Sequence, residues 1–200
     1  VLRLDPDTGN GLPSNPFYNA AAPRSAKSRV WALGLRNPYR MAFRPGTGDH
    51  LPQQGNPGSF YIGDVGYVTW EDLHVLRTSR ENFGWPLFEG QTPNTAYQNR
   101  ETQNPDAPNP LAGGSCPPFF KFEDLIKQET TGSLSFPNPC NTGQQVPLSV
   151  DVFEHTRPAL DWRHGQNQAR WGSFDGSGNA VAVNLGDTYN GRTVPGTPFA

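Results

Sequence analysis

The sequence predicts an all-β fold built as a meander of short strands, and three observations lead there. No window of eleven or more residues carries apolar residues at the i, i+3, i+4, i+7 spacing of a helix. Short alternating apolar runs recur instead, bounded by Gly, Pro, Asn and Asp. Gly 22 and Pro 21 supply the turn residues that such a meander needs, and an aromatic content of 12% with five Trp argues for a packed core against disorder. A barrel, a sandwich and a propeller all satisfy this pattern.

The strands follow in order. Val1–Asp5 alternates and stops at Asp5-Pro6-Asp7-Thr8-Gly9, where Pro pre-sets one turn angle and Gly admits positive φ. Val30–Leu35 is halted by Asn37-Pro38, Tyr39–Arg44 by Pro45-Gly46, and Phe60–Val65 by Gly66. Glu71–Leu76 places Leu73 and Val75 on one face and His74 on the other. Further runs lie near Asn82–Leu87 and Ala180–Leu185. The link Gly66-Tyr67-Val68-Thr69-Trp70 is longer than a two-residue hairpin, and such loops often carry sites on all-β scaffolds. Residues 91–150 hold nine Pro and read as an insertion, in which Phe119–Ile126 predicts one or two helical turns.

Composition excludes several classes. Lys+Arg 16 against Asp+Glu 18 gives a net charge of −2, so no field of either sign exists to hold a nucleic acid. No apolar run reaches membrane-spanning length and no signal peptide is visible. The ends, Val1 and Ala200, carry neither cap nor tail, and the chain reads as an internal part of something longer. Cys116 and Cys140 stand 24 apart without nearby His, which disfavours a zinc cage. They are either a disulfide of an exported protein or two free thiols of a cytosolic one. Asp5–Asn10 resembles a calcium loop, but position 12 is Pro16 where an EF-hand needs Glu, so a β-turn is the reading. Gly-x-Ser-x-Gly, His-Glu-x-x-His and P-loop patterns are missing. His50, His74, His155 and His164 are scattered and read as surface or structural, with His164 also a candidate substrate contact.

Leu33-Gly34-Leu35-Arg36-Asn37-Pro38-Tyr39-Arg40 is the densest segment. Pro38 forces Asn37 into extended backbone, so Arg36 and Asn37 project from a rigid strand end. A guanidinium there can bind a carboxylate or quinone oxygen with two parallel bonds. Tyr61-Ile62-Gly63-Asp64-Val65-Gly66, Trp70-Glu71-Asp72-Leu73 and Glu81-Asn82-Phe83-Gly84-Trp85-Pro86 with Glu89-Gly90 follow. This ordered series resembles the glucose/sorbosone dehydrogenase family, which includes soluble quinoprotein sugar dehydrogenases and Hedgehog-interacting proteins. The likeness covers residues 1–90 closely and 151–200 loosely, and leaves 91–150 unexplained.

The resemblance implies a six-bladed β-propeller, of which this chain would form about half the ring, the remaining blades coming from the rest of the chain. It implies oxidation of a sugar hydroxyl by hydride transfer to pyrroloquinoline quinone (PQQ), with calcium as Lewis acid and an external electron acceptor. Arg36 and Asn37 match the pair that contacts the cofactor, and Arg36 would stabilise charge during hydride transfer. Gly66 and Tyr67 match the positions whose carbonyls hold calcium. Tyr39 and Tyr67 stand where the characterised glucose dehydrogenases carry Gln and Pro, a version closer to the Hedgehog-interacting branch. The family's base His and the Lys and Arg that clasp the cofactor align outside residues 1–200. An extracellular or periplasmic location follows, as does an alternative: a propeller that binds a protein or polysaccharide without redox chemistry.

Overall fold

The computed structural model describes residues 1–196 of the chain. Strand accounts for 37% of the residues and helix for 7%, so the all-β class holds. Its centre is a six-stranded antiparallel sheet of β1 (Pro38–Phe43), β2 (Phe60–Asp64), β3 (Trp70–Leu76), β4 (Leu160–Arg163), β5 (Ala169–Phe174) and β6 (Ala180–Asn184). Spatial order equals chain order, a meander consistent with a partial propeller, and no ring closes among the described residues.

Register is set between neighbours. β2 and β3 pair from Phe60 with Leu76 to Asp64 with Asp72, and β3 meets β4 from Leu73 with Leu160 to Trp70 with Arg163. Side chains alternate across β3, but the deeply buried face is Asp72, His74 and Leu76, while Leu73 and Val75 are half-buried. Polar residues therefore line the deeper side, contrary to what apolar content alone predicts.

Three expected strands are thinner than predicted. Val1–Asp5 and Val30–Leu35 contribute only single bridges, Leu2 with Val30 and Leu4 with Gly11, because the turn at Asp5 folds the chain back at once. The Asp5 carboxylate accepts from the Asp7 and Thr8 N–H groups and the Thr8 hydroxyl, an Asx turn as expected. Asn82–Leu87 is no strand; Asn82 bridges Leu33 and His155, both in parallel sense. A short parallel pair, Ile126–Gln128 with Phe153–His155, was also not predicted. β4 and β5 carry too little apolar alternation to be read in advance.

The 91–150 segment is ordered. Phe119–Lys121 is a strand and Phe122–Asp124 a single 3-10 turn, so the expected helical patch is mostly extended. Phe120 is fully buried there with Ala107, Leu125, Val146 and Val150, a small core of its own. Cys116 and Cys140 are bridged, with Cα atoms 5.7 Å apart. The principal core under the sheet is Trp31, Ala32, Ile62, Leu76 and Phe83.

Candidate functional site

The site is a corner where two strand ends meet. Gly34 takes φ +79°, and a β-carbon on it would stand 2.1 Å from the Asn82 side-chain oxygen, so only glycine lets the chain turn there. Asp64 at the end of β2 then holds the turn: its carboxylate accepts the N–H of Arg36 at 2.9 Å and of Asn37 at 2.6 Å. Val65 N–H donates to the Asn37 carbonyl at 3.1 Å.

With its backbone fixed, Arg36 reaches across the corner. Nη1 donates to the carbonyls of Val65 and Gly66, both at 2.9 Å. The guanidinium carbon lies 5.3 Å from the Tyr67 ring centroid and 5.6 Å from that of Trp85, within cation–π range. Tyr97 completes the ring cluster, 5.4 Å from Trp85 and 6.4 Å from Tyr67. Arg36, Gly66 and Tyr67, singled out by motif, thus meet in space, and Asn37 adjoins them.

Two carboxylates not assigned a role in advance shape the loop. Glu89 is buried, and its Oε1 accepts from the N–H groups of Tyr67, Val68, Thr69 and Trp70 at 2.8–3.3 Å. Four successive N–H groups turned to one oxygen form an anion nest. Glu71 accepts the Gly66 N–H at 3.1 Å and pairs through its other oxygen with His164. The signal for both lay in the sequence, since Glu71 and Glu89 sit within the quoted family blocks. Glycine at 66 is required by space: a β-carbon there would stand 1.4 Å from the Trp70 carbonyl oxygen.

Behind the corner runs a row of acids on paired strands, Asp64, Asp72 and Asp161, all buried. Asp161 is held by Arg170, at 2.9 and 2.5 Å. Burial foremost, then the Asp161 and Asp64 charges, pushes the Asp72 carboxyl well above the usual carboxylate range. Burial also raises Asp64. His74 and His155 are buried and lowered to about 3, so both are neutral. His155 stacks on Phe88 and His74 packs on Phe83, which makes them structural. His50 lies in an exposed bend.

Among the described residues no three His, Cys, Asp or Glu side chains are grouped to hold a metal. A calcium ion on the Gly66 oxygen would have to share it with the Arg36 guanidinium. The donors left on Arg36, Nε and Nη2, and the Asn37 side-chain amide make no hydrogen bond to another described residue. Beside the ring cluster they suit a planar anionic group such as the quinone. A largely apolar cavity of about 710 Å³ adjoins the corner, lined by Gly34, Trp85 and Tyr97 among others, but Arg36 is not part of its wall.

The glucose/sorbosone dehydrogenase family pattern matches residues 1–116, more than half of the chain. The HIPL2 protein of Arabidopsis thaliana is 26% identical over 178 residues, covering 76% of this chain and 23% of its own length. The HIPL1 protein of the same plant is 32% identical over 76 residues, 38% of this chain and 9% of its own. The aldose sugar dehydrogenase YliI of Escherichia coli K12 is 23% identical over 124 residues, 62% of this chain and 28% of its own. The chain thus spans under a third of each relative's length. No solved structure matches it.

Proposed function

Since the chain belongs to the glucose/sorbosone dehydrogenase family, we propose that it supplies the Arg36–Asn37 corner of a PQQ-dependent sugar dehydrogenase. The observation that carries this reading is the fixed guanidinium, anchored through Nη1 and flanked by Tyr67 and Trp85. When bound, the quinone supplies the acceptor for a sugar hydride. Arg36 would hold it through Nε and Nη2, and Asn37 through its amide. The fixed positive charge favours negative charge building on a neighbouring oxygen, at no reorganisation cost because Asp64 already pins the backbone. Tyr67, Trp85 and Tyr97 would give the cofactor an aromatic wall on that side. An external acceptor would then reoxidise the cofactor. The disulfide supports an exported protein.

The same three rings also suit stacking on a sugar of a polysaccharide, the binding-module reading. Turnover separates the two. In the whole protein supplied with PQQ, aldose-dependent dye reduction is expected, and Arg36→Ala should lower kcat by about 10²–10³. Arg36→Lys should recover little, because a point charge does not reproduce the fork. No aldose oxidation at all would leave the binding module as the reading, and unchanged turnover in Arg36→Ala would remove Arg36 from the chemistry.

A further inference from the structure

We propose that Arg36 is the resident cation of the Gly66 corner, so that a divalent metal competes with it and finds no open seat. Two carbonyls, Val65 and Gly66, converge on one guanidinium nitrogen at 2.9 Å each. Converging carbonyls are what a hard cation needs, and a calcium ion, which can complete its six to eight oxygens with water, would need these two free of the guanidinium. The neighbouring acids are already engaged. Asp64 uses both oxygens on the Arg36 and Asn37 N–H groups, and Glu71 uses both on Gly66 N–H and His164.

The loop is balanced on both of its polar sides. Its N–H groups face Glu89 and Glu71, and the Val65 and Gly66 carbonyls face Arg36. Tyr67 and Trp85 flank the guanidinium, so a second cation approaching the Gly66 oxygen meets a fixed like charge between two rings. Lysine could fill the charge but not bridge two carbonyls from one planar fork with the same rigidity.

Thermal unfolding with calcium chloride or with chelator tests this. The wild-type midpoint should be the same in both, because a ligand that does not bind the folded state cannot stabilise it. Arg36→Met keeps the apolar stem between the rings but removes the charge. Its midpoint should rise by several degrees with calcium. Arg36→Gln is the substitute should the Met variant not fold. A calcium-dependent rise in the wild type, or heat of calcium binding to it by calorimetry, would overturn the proposal. So would a neutral variant that folds and ignores calcium, since the carbonyls would then be no cation seat. PQQ titrated into the same chelator-treated wild type reads the redox assignment separately. Absence of quinone binding there removes the proposed function and leaves the cation assignment standing.

Discussion

A β-carbon on Gly66 would stand 1.4 Å from the Trp70 carbonyl oxygen, so Gly66→Ala has to reopen the 66–70 loop. Overpacking of this kind typically costs about 1–3 kcal/mol. Here the contact is backbone against backbone, and the carbonyl pair on Arg36 should be lost with it. Urea unfolding of the variant should show a lower midpoint at unchanged slope. Two other residues govern the acid limb. His74 and His155 fall from 6.5 to about 3 on burial, so the folded protein binds fewer protons than the unfolded chain. Their contribution is complete above pH 6.5 and is lost as pH falls from there towards 3. His74→Gln should flatten the loss of stability between pH 6.5 and 4, by up to about 1.4 kcal/mol per pH unit. An unchanged slope in urea midpoints across that range would show that His74 already titrates normally.

At the scale of elements, the row Asp64, Asp72 and Asp161 sets one buried acid on each of the paired strands β2, β3 and β4. Asp72 is the member held well above its usual range, so its folded form favours the proton and the charge it carries at higher pH is a liability. Asp72→Asn should therefore raise stability at pH 8 relative to wild type, and the gain should shrink as pH falls and the wild-type carboxyl takes up its proton. The burial of the polar face of β3 explains why this row was not legible in advance. Alternation showed correctly that His74 opposes Leu73 and Val75, but which face is buried depends on what packs there, and that is decided by residues outside the strand, Phe83 nearby and Asp161 far along the chain. The corner was legible to a greater extent. Pro38 and the blocks around Arg36 and Asp64 pointed to two strand ends, and these meet. Glu89 was legible as a member of its block but not in its role, because a carboxylate that gathers four N–H groups from a loop some twenty residues earlier has no local pattern. Nine prolines set residues 91–150 apart in composition, while the core around Phe120 has no such signal in the sequence. Replacing Cys116 and Cys140 by Ser should cost about 3 kcal/mol by loop-closure entropy. Limited proteolysis should then cut within 91–150 before it reaches β2 or β3, since that core is separate from the one under the sheet.

Across the whole molecule, the sheet and the insertion form distinct apolar clusters, and the charged groups pair locally in space instead of building a field. A net charge of −2 gives little long-range attraction for an anionic cofactor, so affinity for one has to arise locally, at a few fixed donors. That places the weight of the account on Arg36. The most direct measurement is an equilibrium titration of PQQ into the whole protein, followed by quinone absorbance, for wild type and Arg36→Met under identical salt. The account predicts saturable binding by wild type and affinity at least about tenfold weaker in the variant, the loss expected for a charge-assisted hydrogen bond of roughly 1.5–3 kcal/mol. Equal affinities, or no binding by wild type, would contradict it.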